Sequence, residues 1–223
     1  MKKTLAILCA ATLLVPSTAL AQHATLKTTL GQHFLIGAAL NTNVPDGNDL
    51  RSAELVKQQF NSIVAENCMK GERIHPEESV YNWTDADRLV QFGTENGMAV
   101  IGHCLIWHSQ APHWMFTDKD GKTVSKSVLI DRMYHHITTV VSRYKGRIKG
   151  WDVINEAFND DCTFRSTPYY KIIGPEYFEL AFRFAHEADP DAELYYNDYS
   201  LSMPAKRNAV CRLVARSKLK AAV

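Results

Sequence analysis

Glu156 closes the run Trp151-Asp152-Val153-Ile154-Asn155-Glu156, an apolar, β-branched stretch that follows Gly150 and breaks into the loop residues Ala157-Phe158-Asn159-Asp160-Asp161. A buried strand that ends in a cleft has this appearance. A carboxyl there has a packed wall on one side and a cleft on the other, a setting that raises proton affinity for general-acid work. The alternative is a strand-end carboxylate paired with a nearby Lys or Arg, and the stretch by itself does not separate the two. A second polar cluster lies in Gly102-His103-Cys104-Leu105-Ile106-Trp107-His108-Ser109-Gln110, with Trp114 shortly after. Each His could be a satisfied core residue and each Trp ordinary packing; two His, two Trp and a Gln around one strand end are harder to set aside. Carboxyls flanking a bond, donors that grip hydroxyls and a flat aromatic platform are what hydrolysis of a glycosidic bond requires.

The elements that must position these residues alternate along the chain. Strands are predicted at 33–40, 61–64, 98–102, 151–156 and 193–198. Between them, apolar residues recur at intervals of three and four: Leu50, Ala53, Val56 and Phe60; Leu89, Val90 and Gly93 after a capping Thr84; Leu129, Met133, Ile137, Val140 and Tyr144. A helix opened by Pro175 buries Phe178, Ala181, Phe182 and Ala185, and 206–222 forms the last one. Such alternation implies a parallel sheet covered on both faces, either doubly wound or a (β/α)8 barrel. No glycine-rich phosphate loop follows a strand, which disfavours nucleotide binding. Polar residues instead close nearly every strand: Glu66-Asn67, His103, Asn155-Glu156 and Asn197-Asp198. Functional residues gathered on one face are what a TIM barrel provides.

The first segment has another use. Lys2 and Lys3, an apolar run from Leu5 to Val15 and the small residues Ala19-Leu20-Ala21 make a secretory leader over 1–21, cleaved near Ala21, with export to the periplasm or medium. The whole chain carries 25 basic and 24 acidic residues; losing Lys2 and Lys3 leaves 23 against 24. That balance argues for no nucleic-acid or membrane partner. Cys68, Cys104, Cys162 and Cys211 are widely spaced, with no CxxC pair and no metal-like His spacing. Buried free thiols are expected, with a Cys68–Cys104 bridge the less favoured alternative, and no metal or cofactor is implied.

Four motifs, in order, carry a resemblance: Phe60-Asn61-Ser62-Ile63-Val64-Ala65-Glu66-Asn67-Cys68-Met69-Lys70; Gly102-His103 through Trp107-His108-Ser109-Gln110; Trp151 through Glu156; and Tyr195-Tyr196-Asn197-Asp198-Tyr199. Over roughly residues 27–218 the chain resembles family 10 glycoside hydrolases, the retaining endo-β-1,4-xylanases. The resemblance implies a (β/α)8 barrel acting on xylan or xylo-oligosaccharides as a monomer. It makes Glu156 the acid/base and Asn155 its sugar-gripping neighbour, with Glu66, Asn67, Lys70, His103, Trp107 and His108 lining the cleft.

Two departures accompany it. Ala65 and Gly71 stand where the family often has Pro and Trp, and the missing Trp removes a wall contact. The family's nucleophile, the Glu of an I-T-E-L-D-like segment on strand seven, has no counterpart. At about 40 residues per unit, eight units need about 320, so 22–223 is expected to hold about five units of an incomplete barrel, inactive by itself. Another β-1,4-glycanase of the same barrel type, or an inert remnant, is the alternative.

Overall fold

The computed structural model describes residues 24–221. Five strands, β1 (Gly37–Leu40), β2 (Ser62–Ala65), β3 (Ala99–Ile106), β4 (Gly150–Asn155) and β5 (Glu193–Asn197), form one sheet in the order β1-β2-β3-β4-β5, all parallel. A doubly wound sheet reverses its strand order at a switch point. This one never reverses, which is the order of a (β/α)8 barrel wall, here unclosed. Among the described residues β1 and β5 each pair on one side only.

The helices are α1 (Leu26–Leu30), α2 (Leu50–Gln59), α3 (Gly71–Ile74), α4 (Thr84–Glu95), α5 (Lys126–Arg143), α6 (Pro168–Ile173), α7 (Tyr177–Ala188) and α8 (Pro204–Ala221). α4, α5 and α7 bury most of the stripe that their sequence spacing marks, whereas α2 sinks only Ala53 and Val56: Leu50, in its first turn, is 71% exposed and Phe60, past its end, is half-buried. α5 sinks Leu129, Met133, Ile137, Val140 and Val141 after a Ser125 cap, and α7 sinks Phe178, Ala181, Phe184 and Ala185. Those faces close over Ile63, Val100, Trp151, Val153 and Ile154, all at most 1% exposed. β4 is buried at every position but Asp152, as a strand covered on both faces must be.

Several boundaries differ from the sequence expectation. Residues 33–36 are not strand: Ile36 instead docks on Asn61, its N–H donating to Asn61 Oδ1 at 2.7 Å. β3 runs on to Ile106 instead of stopping at Gly102, because β4 keeps offering backbone partners through a register shift between His103 and Ile106. Thr84 is the first helical residue, not the cap; Pro175 lies in the turn before α7; and α8 opens at Pro204. Phe182 is only partly buried. Cys68 and Cys104 are buried free thiols without a bridge, but Cys162 is half-buried and Cys211 exposed, since both lie away from the sheet. The leader, 1–21, falls outside the described residues.

Candidate active site

Parallel strands present all their C-terminal ends on one rim, and the polar strand-end residues meet there. β4 ends at Asn155 and the chain turns at Glu156, whose φ is 54°. That left-handed backbone costs a non-glycine residue roughly 1–2 kcal/mol, so it must be held by its surroundings. Glu156 N–H donates to the Asn197 carbonyl at 2.9 Å, and the Glu156 carbonyl accepts from Arg165 Nε at 3.0 Å. The half-buried carboxyl accepts from Trp107 Nε1 at 3.0 Å through Oε2. Among the described residues no Lys or Arg forms an ion pair with it, which removes the strand-end salt-bridge alternative.

Trp107 is the hub. Lys70 Nζ lies 4.7 Å from its ring centroid, and the His103 and His108 rings lie 6.5 and 6.1 Å from it. Lys70 is only 8% exposed; a buried ammonium needs partners, and it finds the Trp107 π-face and Asn67 Oδ1 at 2.9 Å. His103 Nδ1 donates to Asp152 Oδ2 at 2.8 Å, which fixes the tautomer and leaves Nε2 for the cleft. Asn155 is buried, and its Oδ1 accepts from Asn197 Nδ2 at 2.9 Å, which leaves its NH2 to donate. Glu66 and Asn67 are exposed beyond β2.

His108 is held below the usual imidazole range by burial first and the Arg165 guanidinium second, with Glu156 and Asp198 pulling the other way. Its Nδ1 is buried and has no partner among the described residues.

Lys70, Asn67, Trp107, His103, His108, Asn155 and Glu156 are thus gathered on one rim, with Glu66 beside Asn67 in the chain. Trp114 is not part of the group: its Nε1 donates to the His75 carbonyl at 3.1 Å and its ring packs on His75 and Arg132. At Gly71 a side chain would meet Pro112 Cδ at 3.0 Å and the Gln110 carbonyl at 3.2 Å, so this backbone has little room for a Trp. Sequence reasoning missed Asp152, Arg165 and the full part of Asn197. Asp152 was findable, since it pairs with His103 across adjacent strands. Arg165 carries no signal: it acts from a loop, on backbone carbonyls.

The comparisons agree with this geometry. The model of "Glycosyl hydrolase family 10" matches residues 25–222. Endo-1,4-beta-xylanase A of Xylanibacter ruminicola is 61% identical over 211 residues, which are 94% of this chain and 57% of that protein. Endo-1,4-beta-xylanase B of Paenibacillus barcinonensis is 42% identical over 191 residues, covering 85% and 56%. Among solved structures, xylanase 10B from Thermotoga petrophila in complex with xylobiose superposes with a TM-score of 0.84 at 42% identity, over 90% of this chain and 61% of that one. The chain therefore spans little more than half the length of these two curated relatives. With the family's model matching all but one of the described residues, and with four ordered motifs meeting on one rim, the chain belongs to glycosyl hydrolase family 10.

Proposed function

We propose that this chain carries the acid/base half of a retaining endo-β-1,4-xylanase site. Glu156 protonates the leaving glycosidic oxygen and then deprotonates the water that releases the covalent glycosyl intermediate. Asn155 grips the sugar at the reaction centre, and Glu66, Asn67, Lys70, His103, Trp107 and His108 line the side of the cleft where xylan or a xylo-oligosaccharide lies. The observation that carries the reading is that the Glu156 carboxyl meets an indole N–H rather than a cation among the described residues, so no ion pair ties it away from the cleft. The nucleophile is supplied from outside the described residues. Asp152 is engaged by His103 and Asp198 by Lys206. Glu66 follows β2, two strands from β4, which is roughly 9–10 Å at the backbone where a retaining pair stands about 5–5.5 Å apart. Residues 1–21 serve as the export leader, and the working enzyme is a secreted monomer.

The test joins this chain to the part of the Xylanibacter ruminicola relative outside the matched stretch. Glu156→Gln should cut turnover on xylan by about 10²-fold or more. In kcat/KM, which reads formation of the covalent intermediate, the loss should be much smaller on an aryl xylobioside whose leaving group needs no proton. Equal losses in kcat/KM on both would show that Glu156 is structural, and greater release of sugar from carboxymethyl cellulose than from xylan would move the substrate to cellulose.

A further inference from the structure

The peptide unit joining Glu156 to Ala157 is gripped at both of its polar atoms. Its carbonyl accepts from Arg165 Nε at 3.0 Å, and its N–H, on Ala157, donates to Tyr196 Oη at 3.0 Å. Tyr196 Oη in turn donates to Asp198 Oδ2, and Asp198 Oδ1 accepts from Lys206 Nζ at 2.9 Å. Lys206 reaches in from α8 with a side chain 0% exposed, and also donates to Asp160 Oδ1 at 3.2 Å. Its Nζ lies 3.9 Å from the Tyr199 ring centroid, and Tyr199 Oη accepts from Arg165 at 2.7 Å. The contacts therefore close a ring that starts and ends on one peptide unit.

A buried ammonium and carboxylate are expensive to desolvate and contribute little net stability, so their place beside a strained turn calls for another reason. We propose that Tyr196, Asp198 and Lys206 are positioning residues for Glu156: they hold the left-handed turn that aims its carboxyl along the rim. This rests on the acid/base reading of Glu156. Asp198 orients the Tyr196 hydroxyl so that its lone pair faces Ala157 N–H, and Lys206 fixes Asp198. Burial, and then the Asp198 carboxylate, push the phenol well above its usual range, so the donor is never lost at ordinary pH.

The test is Tyr196→Phe, which keeps the ring contacts to Phe158 and Phe178, alongside the paired change Lys206→Met with Asp198→Asn, which leaves no lone buried charge. Amide exchange in the full chain should show Ala157 N–H losing protection by about tenfold or more in both variants, with the β4 amides unchanged. In the chain joined to the remainder of the relative, kcat on xylan should fall about tenfold with KM nearly constant. In kcat/KM on the aryl xylobioside the loss should be under about twofold, because forming the intermediate there needs no proton from Glu156. Unchanged exchange at Ala157, or equal losses on both substrates, would overturn the proposal. If the unsubstituted protein turns over neither substrate, the xylanase reading fails, and the exchange measurement alone decides whether the turn is held this way.

Discussion

Gly102→Ala should be far more damaging than a single methyl on a strand suggests. Gly102 pairs in register with Trp151, and His103 with Asp152 on the next rung. Side chains alternate across a sheet, so one rung puts the indole toward the helices, where it meets Tyr144 at 6.2 Å, and the next puts the His103–Asp152 pair on the opposite face. The indole lies flat over the glycine: a Cβ there would stand 2.1, 2.3 and 2.6 Å from Trp151 Cε3, Cζ3 and Cδ2. Ordinary contact is about 3.5–4 Å, so the ring must retreat by more than an ångström, and at 1% exposure it has nowhere to go. Overpacking of this kind costs about 1–3 kcal/mol, and the enclosed ring argues for the upper end. At about 2–4 °C per kcal/mol for a chain of this size, the thermal midpoint should drop by roughly 6–12 °C. All three clashing atoms belong to the six-membered ring of the indole. Trp151→Phe should therefore cost less in the Gly102→Ala background than alone, a coupling of about 1 kcal/mol or more in urea denaturation. Additive costs, or a Gly102→Ala variant within about 0.5 kcal/mol of the parent, would refute the reasoning.

Trp107→Phe keeps the ring under Lys70 but removes the N–H that Glu156 Oε2 accepts; xylan turnover should fall about tenfold with little change in thermal midpoint, and a drop of many degrees would make Trp107 a core residue. Residues 22–223 alone should give no multiple turnovers on xylan or an aryl xylobioside; turnover abolished by Glu156→Ala would place the second carboxylate within them. The His75 and His136 rings face each other through Nδ1 atoms 3.0 Å apart, and burial lowers both, His136 to about 3. Both are neutral when folded and charge on unfolding, so stability should decline as pH falls below about 6.5, by about 1.4 kcal/mol per unit for His136. Urea midpoints at pH 7 and 5.5 measure this; His136→Gln should flatten the slope, and a midpoint equal at both values would refute it.

The sheet was legible because its central strands are apolar runs and α4, α5 and α7 bury stripes near the spacing the sequence shows. Legibility failed where a contact distant in the chain overrides local pattern. Phe34 and Leu35 look like strand, yet they are exposed and outside the sheet: Phe34 N–H turns back to the Leu30 carbonyl, and Ile36 N–H is taken by the Asn61 side chain. The short helices α1 and α6 were missed although Thr25 and Thr167 cap them; five or six residues hold too little periodicity to register. In the site, Glu156, Trp107 and His103 announce themselves by residue type at a strand end. Arg165 and Lys206 do not, because a loop arginine and a helical lysine look like solvated surface until the fold buries one and turns the other onto a carbonyl.

The unreversed strand order has a consequence for how the molecule opens and closes. Every strand's partner is the one made just before it, so each loop closure is short, from Gly37 pairing with Ser62 to Ile101 pairing with Gly150. Loop-closure entropy grows only slowly over that range, and a chain leaving the ribosome finds each template already in place. Fraying then begins at β1 and β5, which have one neighbour apiece among the described residues. β3 and β4, which carry His103, Asp152 and Asn155, are flanked on both sides. The rim that holds Glu156 is in this way set on the part of the sheet that breathes least and loses its native shape last.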